Sequence, residues 1–154
     1  MSHAKQHMEL LSSYMDEIET ELFRLSRPYD EVIKRISRIA GFTERSALFV
    51  ISEIGADMGV FESDKHLCSW AGLTPANNES ANKKKSTRCS KAGQYLKPLL
   101  IQCALAAVKS RKNPYYSIKY NRLSKRRGRK KAIIAIARMM LTSIYHMFLN
   151  NEEW

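Results

Sequence analysis

From Ser80 to Asn151 the sequence contains no aspartate and no glutamate, while the same stretch holds 18 lysines and arginines. A surface that only keeps a domain soluble carries both signs interspersed, so a long run of one sign points to a polyanion, above all a phosphate backbone. Residues 1–79 have the opposite balance, 8 basic against 13 acidic side chains, and the 154-residue chain nets +11. Cysteine is also scarce. Cys68, Cys89 and Cys103 form no C-x-x-C pair, which excludes a disulfide framework and a zinc site and points to a reducing, cytosolic compartment. His3 and His7, one helical turn apart, read as solvated rather than metal-binding, so no metal site is expected. The sequence has no charged-then-apolar secretory start, and its longest apolar run, Leu99 to Val108, is broken by Gln102 and too short to cross a bilayer. Apolar and polar residues nowhere alternate convincingly with period two, so strands are not expected and the fold class is all-α. At 44% apolar residues the chain can build one sizeable core.

Met8, Leu11, Met15, Ile18, Leu22 and Leu25 recur at spacings of three and four, with acids on the other faces, which is a heptad seam. A coiled-coil helix is therefore expected over residues 1–28, ended or kinked by Pro28. A stripe that narrow needs a cover, either a second copy of the chain, giving a homo-oligomer, or another part of the fold. Residues 29–151 then read as a compact helical domain. Tyr29 to Ile39 and the helix carrying Ala47, Leu48, Val50, Ile51 and Ile54 flank a Gly41 hairpin. That hairpin is either a helix-hairpin-helix element offering backbone N–H groups to a phosphate or a plain packing corner. Ser63 is an N-cap candidate for a short helix with Leu67, Trp70 and Ala71 inward. Gly93 to Arg111 reads as the central buried helix, with Pro98 tolerated only in its first turn. Tyr115 to Ser124 and a last helix with Ile133, Ile136, Met140, Leu141 and Ile144 inward complete the set.

Between Gly72 and Gly93 lies a polar loop with no apolar period, dense in Asn, Ser and Lys. A loop of that length inside a compact domain is usually functional or disordered. It places Ser80, a hydroxyl able to act as a nucleophile, ahead of Lys83, Lys84, Lys85, Arg88 and Lys91. Ser86 and Ser90 are the alternatives within it, and Ser90 also reads as a helix cap. Farther on, Arg122, Arg126, Arg127, Arg129, Lys130 and Lys131 gather around Gly128. Three of them stand at the start of the last helix, where the macrodipole is already positive and each costs a few tenths of a kcal/mol, about what a bound phosphate would reverse. These are the candidate nucleic-acid-binding residues.

The ordered motifs A-L-x-x-x-S-E-I-G (Ala47 to Gly55), F-x-S-x-K-x-L-x-x-W-A-G-L-T-P (Phe61 to Pro75), S-K-x-G (Ser90 to Gly93), A-L-A-A (Ala104 to Ala107), N-P-x-Y (Asn113 to Tyr116) and G-x-x-K-A-x-x-A-x-A-R (Gly128 to Arg138) resemble the C-terminal half of insertion-sequence transposases of the IS110 class, over about residues 8–149. In that family a RuvC-like domain with four acidic residues is joined by a coiled coil to a serine-bearing domain, and the assembly is an RNA-guided DNA recombinase. The resemblance implies DNA as partner, a structured guide RNA with it, a location in the bacterial cytosol, and Ser80 as the matching nucleophile. The family usually has glycine after that serine; Ala81 stands here. The chain begins at the coiled coil, so Mg²⁺ is expected only in the absent acidic domain, no cofactor is expected in this chain, and the chain alone is expected to be inactive. Two functions follow, the serine-bearing half of a transposase or a non-catalytic nucleic-acid-binding module or truncated remnant.

Overall fold

A computed structural model of the protein describes residues 3–75, 78–80, 83–86 and 89–152, with the backbone alone described in 78–80 and 83–86. The chain divides into two compact units, Met1–Glu31 and Val32–Trp154. The first is helix α1, His3–Ser26, followed by a 3-10 turn, Arg27–Tyr29, with Pro28 inside it. The heptad seam of α1 faces water: Met8 is 71% and Ile18 61% exposed. Two ion pairs run along the helix, Lys5 to Glu9 at 3.8 Å and Arg24 to both oxygens of Glu21 at 2.6 and 2.7 Å.

The second unit is built from helices, in agreement with the all-α expectation. α2 (Asp30–Arg38) and α3 (Glu44–Ile54) flank the Gly41 turn. Thr43 caps α3 reciprocally with Ser46, so the two orphan donors at that helix start are satisfied locally. A Cβ on Gly41 would stand 2.2 Å from the Cys103 carbonyl oxygen. The glycine is thus used to bring the turn against the next long helix, which is the packing-corner reading of this segment. α4 (Asp64–Trp70) starts at Ser63, whose hydroxyl accepts from the His66 N–H at 3.1 Å. Leu67 and Ala71 are buried, whereas Trp70 is 42% exposed and packs edge-on to Phe61 at 5.8 Å.

α5 (Leu96–Ala107), α6 (Tyr115–Arg127) and α7 (Arg129–Asn150) make the body. Pro98 lies in the first turn of α5, where its missing N–H costs nothing. α7, rather than α5, is the central helix: it packs against α4, α5 and α6 and buries nine residues, Ile136, Met140, Leu141 and Ile144 among them. α5 is apolar nearly all round, yet only Leu96, Leu100, Cys103, Ala104 and Ala107 are buried, and Leu105 is 41% exposed. By length and hydropathy α7 could cross a membrane, but half of that stretch is buried inside the protein, as befits a core helix. Burial pushes the Cys68 and Cys103 thiols above their ordinary range, with the Thr142 hydroxyl partly offsetting this at Cys68.

Between Gly72 and Gly93 the described residues form a closed root and a short two-stranded ribbon. At its root Gly72 and Gly93 lie backbone on backbone: a Cβ on Gly72 would meet the Ala92 carbonyl oxygen at 2.3 Å, and one on Gly93 the Ala71 carbonyl oxygen at 2.3 Å. Both have positive φ, +69° and +66°, so neither position accepts a side chain without strain. Next, Pro75 pairs with Cys89 in an antiparallel bridge. Beyond it β1 (Asn78–Ser80) pairs antiparallel with β2 (Lys83–Ser86), with an irregularity between Asn78 and Glu79. The run was expected to be irregular because it lacks apolar alternation, but a two-stranded ribbon can be held by its backbone ladder and closed root alone.

Candidate nucleic-acid interface

The ribbon root opens onto a cleft of about 660 Å³. Leu73, Pro75 and Cys89 form one wall. The cleft is also lined by a single stripe of α7, Lys130 and Lys131, then Ile134 and Ala135, then Arg138, residues one helical turn apart that share a face. The same helix turns Ala132, Ile133, Ile136 and Ala137 toward the core. Arg127, from the last turn of α6, and Lys97, from the first turn of α5, complete the lining. Five cations therefore converge on one concavity, and among the described residues none of them has a carboxylate within ion-pairing distance.

Two features of the backbone concentrate the charge. α6 and α7 are joined by Gly128 alone, at φ 84° and ψ 158°, so Arg127 and Lys130 are held close at a sharp corner. Lys125, Arg126 and Arg127 close α6, where the macrodipole favours cations, but Arg129, Lys130 and Lys131 open α7, whose N-terminus has no side-chain cap and no acid in its first turn. Uncapped N–H groups beside three cations form an anion-attracting end.

The candidate residues divide into groups. Arg127, Lys130 and Lys131 come together in the cleft. Arg122 and Arg126 line a smaller recess of about 290 Å³ on α6 with Lys119 and Met139. Arg129 lines a neighbouring cleft with Lys130. Lys91 is exposed beside the ribbon root. Lys83, Lys84 and Lys85 are in β2, with Lys83 opposite Ser80 and Lys84 opposite Glu79 in the ladder. Arg88 lies outside the described residues. Ser80 is thus the last residue of β1, at the end of the ribbon away from the cleft root. Ser90 is not a cap, because α5 is preceded by Tyr95. Instead the Ser90 carbonyl accepts from Lys97 Nζ at 2.9 Å, and its own hydroxyl is buried without a hydrogen-bond partner among the described residues.

Sequence reasoning did not select Lys97, Cys89 or Arg138. Arg138 was visible as the end of the G-x-x-K-A-x-x-A-x-A-R motif, two helical turns after Lys130, a spacing that puts both on one face. Lys97 and Cys89 carry no local signal and meet the others only through packing. For Mg²⁺ the fit is poor: among the described residues no three His, Cys, Asp or Glu side chains cluster.

No curated protein and no solved structure matches the chain. A sequence model of one family does match, over residues 33–122, from α2 through the ribbon and α5 into α6. That is more than half of the protein, and the chain therefore belongs to the transposase IS116/IS110/IS902 family.

Proposed function

We propose that the second unit binds DNA through the cation-lined cleft and offers Ser80, on the ribbon, as the nucleophile of a phosphodiester transesterification. The observation that carries the binding half is the convergence of Lys97, Arg127, Lys130, Lys131 and Arg138 without a carboxylate among the described residues. Cations left unneutralised in a concavity are stabilised by phosphate oxygens and release condensed counterions when they bind. The support for Ser80 is its place in the family's polar loop and at the last position of β1, paired with Lys83 of the strand that carries Lys83, Lys84 and Lys85. In the step, Ser80 Oγ bonds to phosphorus as the phosphorus–O3′ bond breaks, and the serine proton ends on the departing 3′ oxygen. One phosphodiester replaces another, so the bond energy is kept for rejoining. Nearby cations would stabilise the charge that builds on phosphorus. A guide RNA would use the same phosphate-binding surface.

The test is a gel-shift titration of duplex DNA. Arg127→Glu combined with Lys131→Glu is expected to remove binding at low salt while the melting temperature stays unchanged; unaltered binding refutes the cleft. For the chemistry, the acidic domain is supplied in trans with a nicked suicide substrate, and covalent adducts are read on a denaturing gel. Ser80→Ala is expected to abolish the adduct and Ser86→Ala and Ser90→Ala to leave it. An adduct that survives Ser80→Ala refutes the assignment. If no loop serine matters, the domain is a binding module.

A separate observation supports self-association through α1. Met8, Leu11, Met15, Ile18 and Leu25 are all about half exposed or more, and a heptad stripe of that kind is stabilised by a second copy.

A further inference from the structure

The cation-lined cleft leaves one surface unexplained, the apolar face that α5 turns to water. Ile101 and Leu105 of α5, Tyr120 of α6, and Ile133 and Ile134 of α7 line a second cleft of about 480 Å³. Its rim carries Arg129 and Lys130. Lys130 and Ile134 line both clefts, so one ridge of α7 separates a cationic concavity from an apolar one. An exposed apolar hollow costs free energy unless something covers it. The cover must tolerate cations at the edge with no acid from this stretch of chain, which disfavours an ordinary basic or mixed-charge protein surface and suits an anionic ligand with an apolar face.

A nucleotide has that form, a flat apolar base tied to a phosphate. We infer that the second cleft holds the base of an unpaired nucleotide, stacked against Tyr120, while its phosphate lies across Lys130 in the cationic cleft. In an uninterrupted duplex the faces of the bases are covered by their neighbours and cannot enter a hollow, so occupation requires a single strand or an extruded base. The domain therefore prefers nucleic acid with an unpaired position to continuous duplex. Base–aromatic stacking is tolerant of sequence and strong enough to show in affinity. This inference rests on the nucleic-acid reading above and adds to it which form of strand is bound.

The experiment uses the full chain and three fluorescein-labelled ligands of equal length, oligo(dT), the same strand with abasic sites, and a duplex. Tyr120→Leu keeps apolar bulk and removes the stacking face. It is expected to weaken oligo(dT) binding on the order of tenfold and to leave the abasic strand and the duplex unchanged. Arg127→Gln with Lys131→Gln is expected to weaken all three. In parallel, a 2-aminopurine placed in the single strand is expected to lose fluorescence on binding the unmodified protein, a readout that needs no variant to fold. Unquenched 2-aminopurine, or oligo(dT) affinity unchanged in Tyr120→Leu, overturns the base site while the cation cleft stands. If the Arg127 and Lys131 variant binds all three ligands like the wild type, the underlying nucleic-acid reading has failed as well.

Discussion

The two longest helices, α1 with 24 residues and α7 with 22, treat the same ingredients in opposite ways. α1 carries both ion pairs found among the described residues, Lys5–Glu9 and Arg24–Glu21, and leaves its apolar stripe in water; α7 buries its apolar stripe and, among the described residues, makes no ion pair. Exposed apolar area is stabilised by another apolar surface, and unneutralised cations by an anion. The difference fits the different partners proposed for the two units, a like helix for α1 and a nucleic acid for the α7 unit.

The sharpest way to break this contrast is to truncate one apolar residue on each helix. Leu141 is fully buried on α7, and Leu141→Ala is expected to cost about 2–5 kcal/mol in urea unfolding through the lost transfer energy and the cavity it leaves. Ile18→Ala, at a site 61% exposed, is expected to change stability by no more than about 0.5 kcal/mol at concentrations where the chain is monomeric. Equal costs would mean that the α1 stripe is covered within the monomer.

Next in size is Gly72→Ala. With φ at +69° and the Ala92 carbonyl oxygen 2.3 Å from the new Cβ, the substitution is expected to cost roughly 1–3 kcal/mol and to loosen the ribbon root. Hydrogen exchange at Leu73 and Cys89 reads the second effect, and unchanged protection there would mean the root is not what pins the ribbon. A smaller effect on stability, though a visible one in mass, is expected on α1. Leu11→Lys with Ile18→Lys should leave the melting temperature near that of the wild type and move the mass by light scattering toward one chain. A wild-type mass would refute self-association through this seam.

Thiol labelling gives the mildest perturbation. Cys68 and Cys103 are buried, with their thiols pushed up by that burial, whereas Cys89 is half-buried and lines the cleft. A neutral maleimide is expected to label Cys89 first, because the accessible thiol supplies the thiolate, and bound DNA is expected to slow that labelling. Labelling of Cys89 at the same rate with and without saturating DNA would place the nucleic acid elsewhere.

Much of this was legible in the sequence where one residue pattern decided the outcome. The five inward positions of α3 from Ala47 to Ile54, the Ser63 cap and the apolar period of α7 follow from helical spacing and capping chemistry alone. The cations at the start of α7 were legible because Gly128 breaks the helix ahead of them. What depended on tertiary contact was not. The central position went to α7 because α5 turns Ile101 and Leu105 outward, which composition does not reveal. α6 runs past Ser124 to Arg127, since Lys and Arg are good helix formers and are favoured at a helix C-terminus. The ribbon between Gly72 and Gly93 has no apolar alternation, so its ladder leaves no periodic trace. Lys97, from the first turn of α5, and Cys89, from the ribbon root, become neighbours of Arg138 only in the folded chain.

If the cations converging on the α7 cleft hold phosphates, as proposed, the salt dependence of duplex binding depends on them. The logarithm of the association constant is plotted against the logarithm of salt for the wild type and for Arg127→Gln, Lys131→Gln, Arg138→Gln combined. Each phosphate contact contributes roughly 0.9 to the slope, so the triple variant is expected to bind more weakly with a slope shallower by about 2–3. A slope and affinity equal to those of the wild type, or a wild type whose binding does not respond to salt, would mean that the cleft does not hold phosphates.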